Sequence, residues 1–298
     1  MNLTSRLTWC GLLAFTLTLG ATSIASAATN TLDKLRSGKP LLIGYVDQNL
    51  PFSTSRGSPD RPEGFTVDMC KLVVEQMKKD LQLPNITVQY RIVTFDTRFT
   101  ALDSNEIDLE CASSTVTRAR LEKYSFTPSF YVTGVRLLVP KGSTAQSLDQ
   151  LTGKTIAVVA NTTGESIVRK QNELASLKLN LKVYESTDAA VAAVANNEVS
   201  AFPFDEILLY AFISAIPEGN KKLDVVGRFL SVEPYGLMMR LNDAAFERAV
   251  SGALAEVLAT RTAVETYDRW FRNAKLDAPM NRLTKEVFAM PSRDPAFP

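Results

Sequence analysis

A short stretch rich in hydroxyl and basic residues has the chemistry of a carboxylate receptor. It follows the apolar, strand-like run 107–111 and contains Ser113, Thr115 and Arg120. Thr117 is placed as the N-cap of a helix that begins after it. Backbone N–H groups at a helix start, hydroxyls and a guanidinium fork bind an anion together. An ordinary capped helix behind a surface turn would show the same local pattern.

A second stretch repeats this design. The predicted strand Thr155–Ala160 leads to Thr162 and Thr163 at a helix start, and Thr162 with Glu165 has the pattern of a capping box. A capping role leaves the other N–H groups of the first turn available to an anion. A later predicted strand, 199–204, ends at Asp205, a carboxylate of the opposite charge.

Composition excludes several classes of function. The 298 residues suggest roughly two domains, and 45% hydrophobic with 22% charged residues is typical of a soluble globular protein. A net charge of +1 predicts no nucleic-acid partner. The chain has no histidine, which removes histidine-based acid–base catalysis and histidine metal sites. We expect no metal and no cofactor.

The N-terminus has the pattern of a secretory signal peptide over residues 1–27. Arg6 supplies a positive charge, residues 11–19 an apolar segment, and Ala25-Ser26-Ala27 a cleavage site. Cys10 lies too early to be a lipoprotein cysteine. We expect a soluble mature protein that begins near Ala28 and is exported to the periplasm, with a retained anchor as the alternative.

Strands and helices alternate along the mature chain, which predicts α/β units whose sheets are mainly parallel. Ligands of such sheets bind beyond the carboxyl ends of the strands, where the loop after Val46 and the Ser113 turn both lie. Two crossing segments, 132–136 and about 230–235, predict a hinge. The expected division is lobe 1 over 28–133 and 232–298, and lobe 2 over 134–231.

Taken together, these motifs resemble those of type II periplasmic solute-binding proteins of the amino-acid-binding family 3 group, most of all its glutamate/aspartate-binding branch. The order and spacing of the motifs carry the resemblance over essentially the whole mature chain. They are Ile43-Gly44 with Pro51-Phe52, Gly64-Phe65 with Asp68, 107–111 with Ser113, Thr115 and Arg120, 124–127, 151–154, Thr162-Thr163, 201–205 and Tyr235-Gly236.

The resemblance implies a two-lobed fold with a two-segment hinge and no chemistry beyond lobe closure around an amino acid. Arg120 would bind the ligand α-carboxylate through two parallel hydrogen bonds. Ser113 and Thr115 would add bonds to the same group, as would Thr163 with Thr162 from the facing lobe. Asp205 would accept the ligand ammonium group. The implied partner is an ABC transporter permease in the inner membrane, and the implied assembly is a monomer.

Three positions bear on the ligand side chain. In the acidic-amino-acid branch the position of Val46 is usually arginine and that of Thr187 often histidine, so only Arg98 of the basic cluster is kept. Burying a second carboxylate beside one remaining cation is costly. A neutral polar or mixed amino acid is therefore a credible ligand.

The branch's usual cysteine partner of Cys111 is matched here by Leu237, so that bridge is absent. An exported protein could instead join Cys70 to Cys111, but we expect two free, buried thiols.

Two other functions remain open. Some relatives on this fold are cyclohexadienyl or arogenate-type dehydratases, which need a carboxylic acid in the cleft. Glu110 and Asp47 are the available acids besides Asp205, and we expect Glu110 to be structural. A sensor ectodomain is disfavoured because no membrane segment follows the domain.

Overall fold

The computed structural model describes residues 30–274 and 276–291. The predicted signal peptide, its cleavage site and Cys10 lie outside the described residues. The strands are β1 Leu41–Val46, β2 Val88–Val93, β3 Leu109–Glu110, β4 Tyr124–Phe126, β5 Tyr131–Thr133, β6 Val135–Pro140, β7 Thr155–Val159, β8 Asn180–Tyr184, β9 Phe202–Asp205, β10 Leu223–Val226, β11 Glu233–Tyr235 and β12 Met238–Arg240.

The α-helices are α1 Thr31–Arg36, α2 Phe65–Asp80, α3 Arg98–Asp103, α4 Arg118–Leu121, α5 Thr163–Leu174, α6 Thr187–Ala195, α7 Glu206–Ala215, α8 Gly219–Lys222, α9 Ala244–Leu258, α10 Arg261–Phe271 and α11 Arg282–Ala289. A 3-10 turn spans Asp149–Leu151. Among the residues described, no helix is both long enough and apolar enough to cross a bilayer.

The first sheet has the strand order β2-β1-β3-β12-β4. Strand β1 runs parallel to β2 and β3, which brings the carboxyl ends of all three to one edge. Strand β12 runs antiparallel between β3 and β4. This sheet is therefore built from two parts of the chain that are far apart in sequence.

The second sheet region combines antiparallel and parallel pairs. Strands β10, β6 and β9 are antiparallel, whereas β7 and β8 are parallel. A parallel bridge from Ile156 to Ala201 connects the two groups. The sheet is thus less uniformly parallel than the alternating sequence pattern suggests, because β6 runs opposite to its two neighbours, β9 and β10.

Strands β5 and β11 pair antiparallel where the chain passes between the two sheets. The sequence predicts one long strand over Tyr131–Pro140, but the structure divides it into β5 and β6 at Gly134. A Cβ atom at Gly134 would lie 2.5 Å from the backbone oxygen of Ser231, so the crossing segments approach closely only with glycine there. Two sheets joined by two segments make the predicted two-lobed fold. The lobe boundaries 28–133 with 232–298 and 134–231 stay a proposal.

A cluster of aromatic rings lies under the hinge. The Phe52 ring lies 5.0 Å from that of Tyr131 and 5.2 Å from that of Tyr235, one from each hinge strand. Phe271 of α10 stacks on Tyr131 at 5.1 Å, and Phe65 of α2 packs on Phe271 at the same separation. Such pairs contribute about 0.5–1.5 kcal/mol each beyond area burial. The cluster fixes the hinge strands to the first lobe.

The prediction of two free thiols was wrong. Cys70 of α2 and Cys111, just after β3, form a disulfide with their Cα atoms 6.4 Å apart. Both residues are fully buried. Cys111 is held beside β1 by a hydrogen bond from its N–H to the Gly44 oxygen, 2.8 Å. The packing of α2 over this sheet brings the two cysteines together, and sequence spacing does not reveal that packing.

Candidate ligand-binding site

A narrow cleft lies between the two sheet regions. Residues from both sides line it, and every residue predicted to bind ligand is among them. The lining residues are Phe95, Arg98, Ser113, Thr115, Arg120, Thr162, Thr163, Phe204 and Asp205. The carboxyl ends of strands from both sheets therefore meet at one site, as open α/β sheets require.

The turn after β3 presents Arg120 to the cleft. Thr117 is the N-cap of α4, and its side chain accepts from the Arg120 N–H at 3.2 Å, as predicted. The guanidinium donates to the Thr115 oxygen at 2.8 Å and lies 5.3 Å from the Phe99 ring centre. Desolvation and the nearby positive charge of Arg98 lower the pKa of Arg120 to about 9. It stays charged at neutral pH, beside a like charge, and an anion would relieve that repulsion.

Arg98 is already engaged with an internal carboxylate. It is buried, and its Nη1 donates to the Ser114 hydroxyl at 2.8 Å. That hydroxyl donates to Glu110 Oε1 at 2.9 Å, while Arg98 and Glu110 are 3.9 Å apart. Burial raises the pKa of Glu110, and the attraction of Arg98 opposes that rise. Glu110 thus neutralises much of the charge of Arg98.

Asp205 supplies the opposite charge from the other side of the cleft. It ends β9 and precedes α7, but its side chain makes no capping bond. Its Oδ1 is buried with no hydrogen-bond partner among the described residues. Desolvation, followed by the negative charge of Glu233, raises the pKa of Asp205 to about 8, while Tyr235 and Arg120 oppose the rise. The Tyr235 hydroxyl lies nearby, yet it makes no hydrogen bond of good geometry. A buried acceptor without a partner suits a cationic ligand group.

The start of α5 faces Arg120. Thr162 caps the helix by accepting from the Glu165 N–H at 3.2 Å, as predicted. Glu165 differs from the predicted capping box because its carboxylate accepts from the N–H of Asn161 at 2.9 Å, one residue before the cap. The N–H groups of the first turn, at Thr163 and Gly164, have no acceptor within a helix. They are available to an anion in the cleft.

Val46 and Thr187 do not contribute to the lining of the cleft. Val46 ends β1 and Thr187 begins α6, and both are buried. Asp47 and Asp188, the residues that follow them, are close enough to interact, since desolvation and then the charge of Asp47 raise the pKa of Asp188. The role of the two positions in side-chain specificity stays a prediction.

Sequence reasoning missed two aromatic residues and one acid. The rings of Phe95 and Phe204 come from different lobes and meet edge to face at 5.7 Å in the cleft wall. Glu233 on hinge strand β11 accepts from the Thr115 hydroxyl at 2.6 Å. Phe204 directly precedes Asp205, and Phe95 follows β2 by two residues, so position at a strand end was a usable signal for both. Glu233 carries no comparable local signal.

Comparison with known proteins agrees with this geometry. Residues 41–273 match the model of bacterial extracellular solute-binding proteins, family 3. The chain belongs to this family. An L-glutamate/L-aspartate-binding protein of Pseudomonas aeruginosa is 30% identical over 280 residues, with 92% of each chain covered. An ABC transporter glutamine-binding protein of Bacillus subtilis is 26% identical, covering 82% of this chain and 85% of that protein.

The family fold is also evident among solved structures. One of them is an ancestral amino acid-binding protein described as a precursor of cyclohexadienyl dehydratase. It has a TM-score of 0.69 and 22% identity, and it covers 81% of this chain and 99% of that one. At this identity the likeness establishes the fold alone. The extracellular family model and the predicted signal peptide agree on a location outside the cytoplasm.

Proposed function

We propose that this protein captures an amino acid with an uncharged side chain in the periplasm and delivers it to an ABC importer in the inner membrane. The observation that carries the proposal is the pairing of Arg120 and Asp205 across one narrow cleft. A zwitterion needs an anion receptor and a carboxylate a few ångströms apart. Because the two residues belong to different lobes, one ligand satisfies both only when the lobes close.

Arg120 receives the ligand carboxylate, assisted by Ser113, Thr115 and the start of α5 at Thr162 and Thr163. A guanidinium that pairs with a carboxylate through two parallel bonds gives both strength and orientation. Its bonds to the Thr115 and Asn161 backbone oxygens occupy two N–H groups of five, so donors remain for the ligand. Asp205 accepts the ammonium group through its unpartnered Oδ1.

An uncharged ligand side chain is favoured by what surrounds it. Arg98, the remaining basic residue of the acidic-ligand pattern, is paired with Glu110 inside the protein. The neighbouring walls are the Phe95 and Phe204 rings, which offer no hydrogen bond to a second carboxylate. Val46 and Thr187 add no charge. Relatives with acidic and with neutral ligand names both occur among the proteins similar to this chain.

A dehydratase on this fold receives less support. Glu110 does not line the cleft, and its Oε1 accepts from Ser114. Asp47 holds its own loop together by accepting from the Ser55 N–H at 2.6 Å and its hydroxyl at 2.8 Å. Neither acid is positioned to protonate a substrate, and Asp205 is assigned to the ligand ammonium group, so we propose no enzymatic activity.

A thermal-shift screen of the mature protein against the common amino acids and several cyclohexadienyl acids tests the proposal. A ligand at 100 times its dissociation constant stabilises a protein by about 2.7 kcal/mol, which such a screen detects. We expect shifts with neutral amino acids. A response to glutamate and aspartate alone would contradict the uncharged ligand, and a response to cyclohexadienyl acids alone would favour the enzyme.

A further inference from the structure

Asn161 crosses the cleft and contacts three residues of the other lobe. Its side-chain Nδ2 donates to Asp96 Oδ1 at 2.5 Å. Its backbone oxygen accepts from Arg120 Nη2 at 3.1 Å and from Arg98 Nη2 at 3.4 Å. Asp96 and Arg98 follow β2 and Arg120 follows β3, whereas Asn161 follows β7. One residue thus connects the two lobes at the mouth of the ligand site.

The backbone at Asn161 is fixed by its own lobe. Its φ angle is +59°, a left-handed conformation that costs most residues free energy but that asparagine tolerates better than they do. The Asn161 N–H donates to Glu165 Oε2 at 2.9 Å, and Glu165 in turn pairs with Arg169 at 2.8 Å. This arrangement aims the Asn161 oxygen and side chain outward before the lobes meet.

We propose that Asn161 and Asp96 form an interlobe latch, and that Asn161 is thereby a positioning residue for ligand capture. The latch keeps the Asn161 oxygen on Arg120 from one lobe while the Thr115 oxygen holds the same guanidinium from the other. The role of the latch in capture rests on the proposed function of Arg120 as the carboxylate receptor. The latch itself is tested without added ligand.

With this latch, the orientation of the Arg120 guanidinium depends on closure of the two lobes. In the open protein the Arg120 guanidinium would keep its hydrogen bond to the Thr115 oxygen and its contact with the Phe99 ring but lose the Asn161 oxygen. In the closed protein two backbone oxygens fix its plane, and its remaining N–H donors point into the cleft for a carboxylate. The latch should therefore raise the population of closed molecules without contacting the ligand.

The distance between the lobes, measured without added ligand, reports the population of closed molecules directly. Cysteines introduced for spin labels at the exposed Lys79 and Lys170 report one lobe each. In the mature chain the remaining cysteines, Cys70 and Cys111, are bonded to each other and take no label. Double electron–electron resonance then gives the ratio of closed to open molecules, and circular dichroism checks that each variant is folded.

Asn161→Gly removes the amide donor but keeps a residue that accepts the left-handed backbone. We expect it to lower the closed-to-open ratio about three- to tenfold, in the range of one ordinary intramolecular hydrogen bond. Asp96→Ala should have a similar effect, and the double variant no more than either single change. Asp96→Asn keeps an acceptor and should stay within about twofold of the wild type.

Asn197→Gly is the matched control, since Asn197 is also exposed, has φ +58° and lies in the same lobe. It should leave the distances unchanged. Wild-type distances in Asn161→Gly, additive effects in the double variant, or a wild type that is fully open would each overturn the latch. These results involve no amino acid, so they leave the thermal-shift test of ligand capture independent.

Discussion

Replacing Asp205 with asparagine tests how much this buried carboxyl group makes the free energy of unfolding depend on pH. Asp205 is 6% exposed, and desolvation with the charge of Glu233 raises its pKa from 3.8 to about 8. The folded protein therefore holds this proton up to a higher pH than the unfolded chain does. Its contribution to stability is fully present below about pH 4 and is lost as pH rises to about 8. At 1.36 kcal/mol per pKa unit, the loss between pH 5 and pH 8 is about 3–4 kcal/mol.

Urea unfolding of the ligand-free mature protein at pH 5 and pH 8 measures this contribution. Asp205→Asn removes the titrating group but keeps the shape, so its free energy of unfolding should fall less between the two pH values than that of the wild type. The difference should be about 2–4 kcal/mol. Asp149→Asn, a change at an exposed aspartate, should leave the wild-type dependence unchanged. An equal pH dependence in Asp205→Asn and wild type would refute the reasoning.

The raised pKa of Asp205 also affects ligand binding. An ammonium group pairs with Asp205 only after the carboxylate has lost its proton, so capture near pH 7 should release close to one proton per ligand. Affinity should rise with pH up to about 8. Titration calorimetry in two buffers of different ionisation enthalpy counts the protons. Asp205→Asn should bind at least about 30-fold more weakly, as expected for one buried charge pair.

Other changes test separate parts of the structure. Arg120→Ala should weaken binding at least about 100-fold in titration calorimetry, with Arg118→Ala as an exposed neighbouring control; a variant that binds normally would exclude the carboxylate role. Val46→Arg should increase affinity for glutamate or aspartate relative to glutamine, whereas Val46→Met should not; no gain would place Val46 away from the ligand side chain. Removing the Cys70–Cys111 bond by Cys→Ala at both positions should lower the free energy of unfolding by about 3–4 kcal/mol, given a separation of 41 residues; urea unfolding of the reduced wild type should show a similar loss.

The ligand residues could be predicted because their signals are local. A strand followed by hydroxyl residues and a helix start identifies Ser113 and Thr162 without knowledge of the partner lobe. Asp205 likewise follows directly from a predicted strand. The topology of α/β sheets then brings such strand ends to one edge. What each residue binds remains a proposal, but their meeting in one cleft was predictable.

Contacts between distant segments could not be predicted in the same way. Phe95 and Phe204 meet only because the lobes face each other, and Glu233 reaches Thr115 only through the pairing of the hinge strands. The disulfide depends on the packing of α2 over β1 and β3. The break at Gly134 follows from the close approach of the second crossing segment. Each of these features requires a tertiary contact that no run of neighbouring residues encodes.

The charges of the cleft argue for a ligand with one carboxylate and one ammonium group. Arg98 and Arg120 repel each other, which contributes to the lowered pKa of Arg120, while the charge of Glu233 disfavours ionisation of Asp205 on the opposite side. Glu110 relieves Arg98 and the Thr115 hydroxyl relieves Glu233. Arg120 and Asp205 remain as the pair with the least internal compensation. A zwitterion would neutralise both, whereas a second carboxylate would have to compete with Glu110 for Arg98. Binding of an amino acid with an uncharged side chain would therefore satisfy Arg120 and Asp205 without disturbing the internal pair of Arg98 and Glu110.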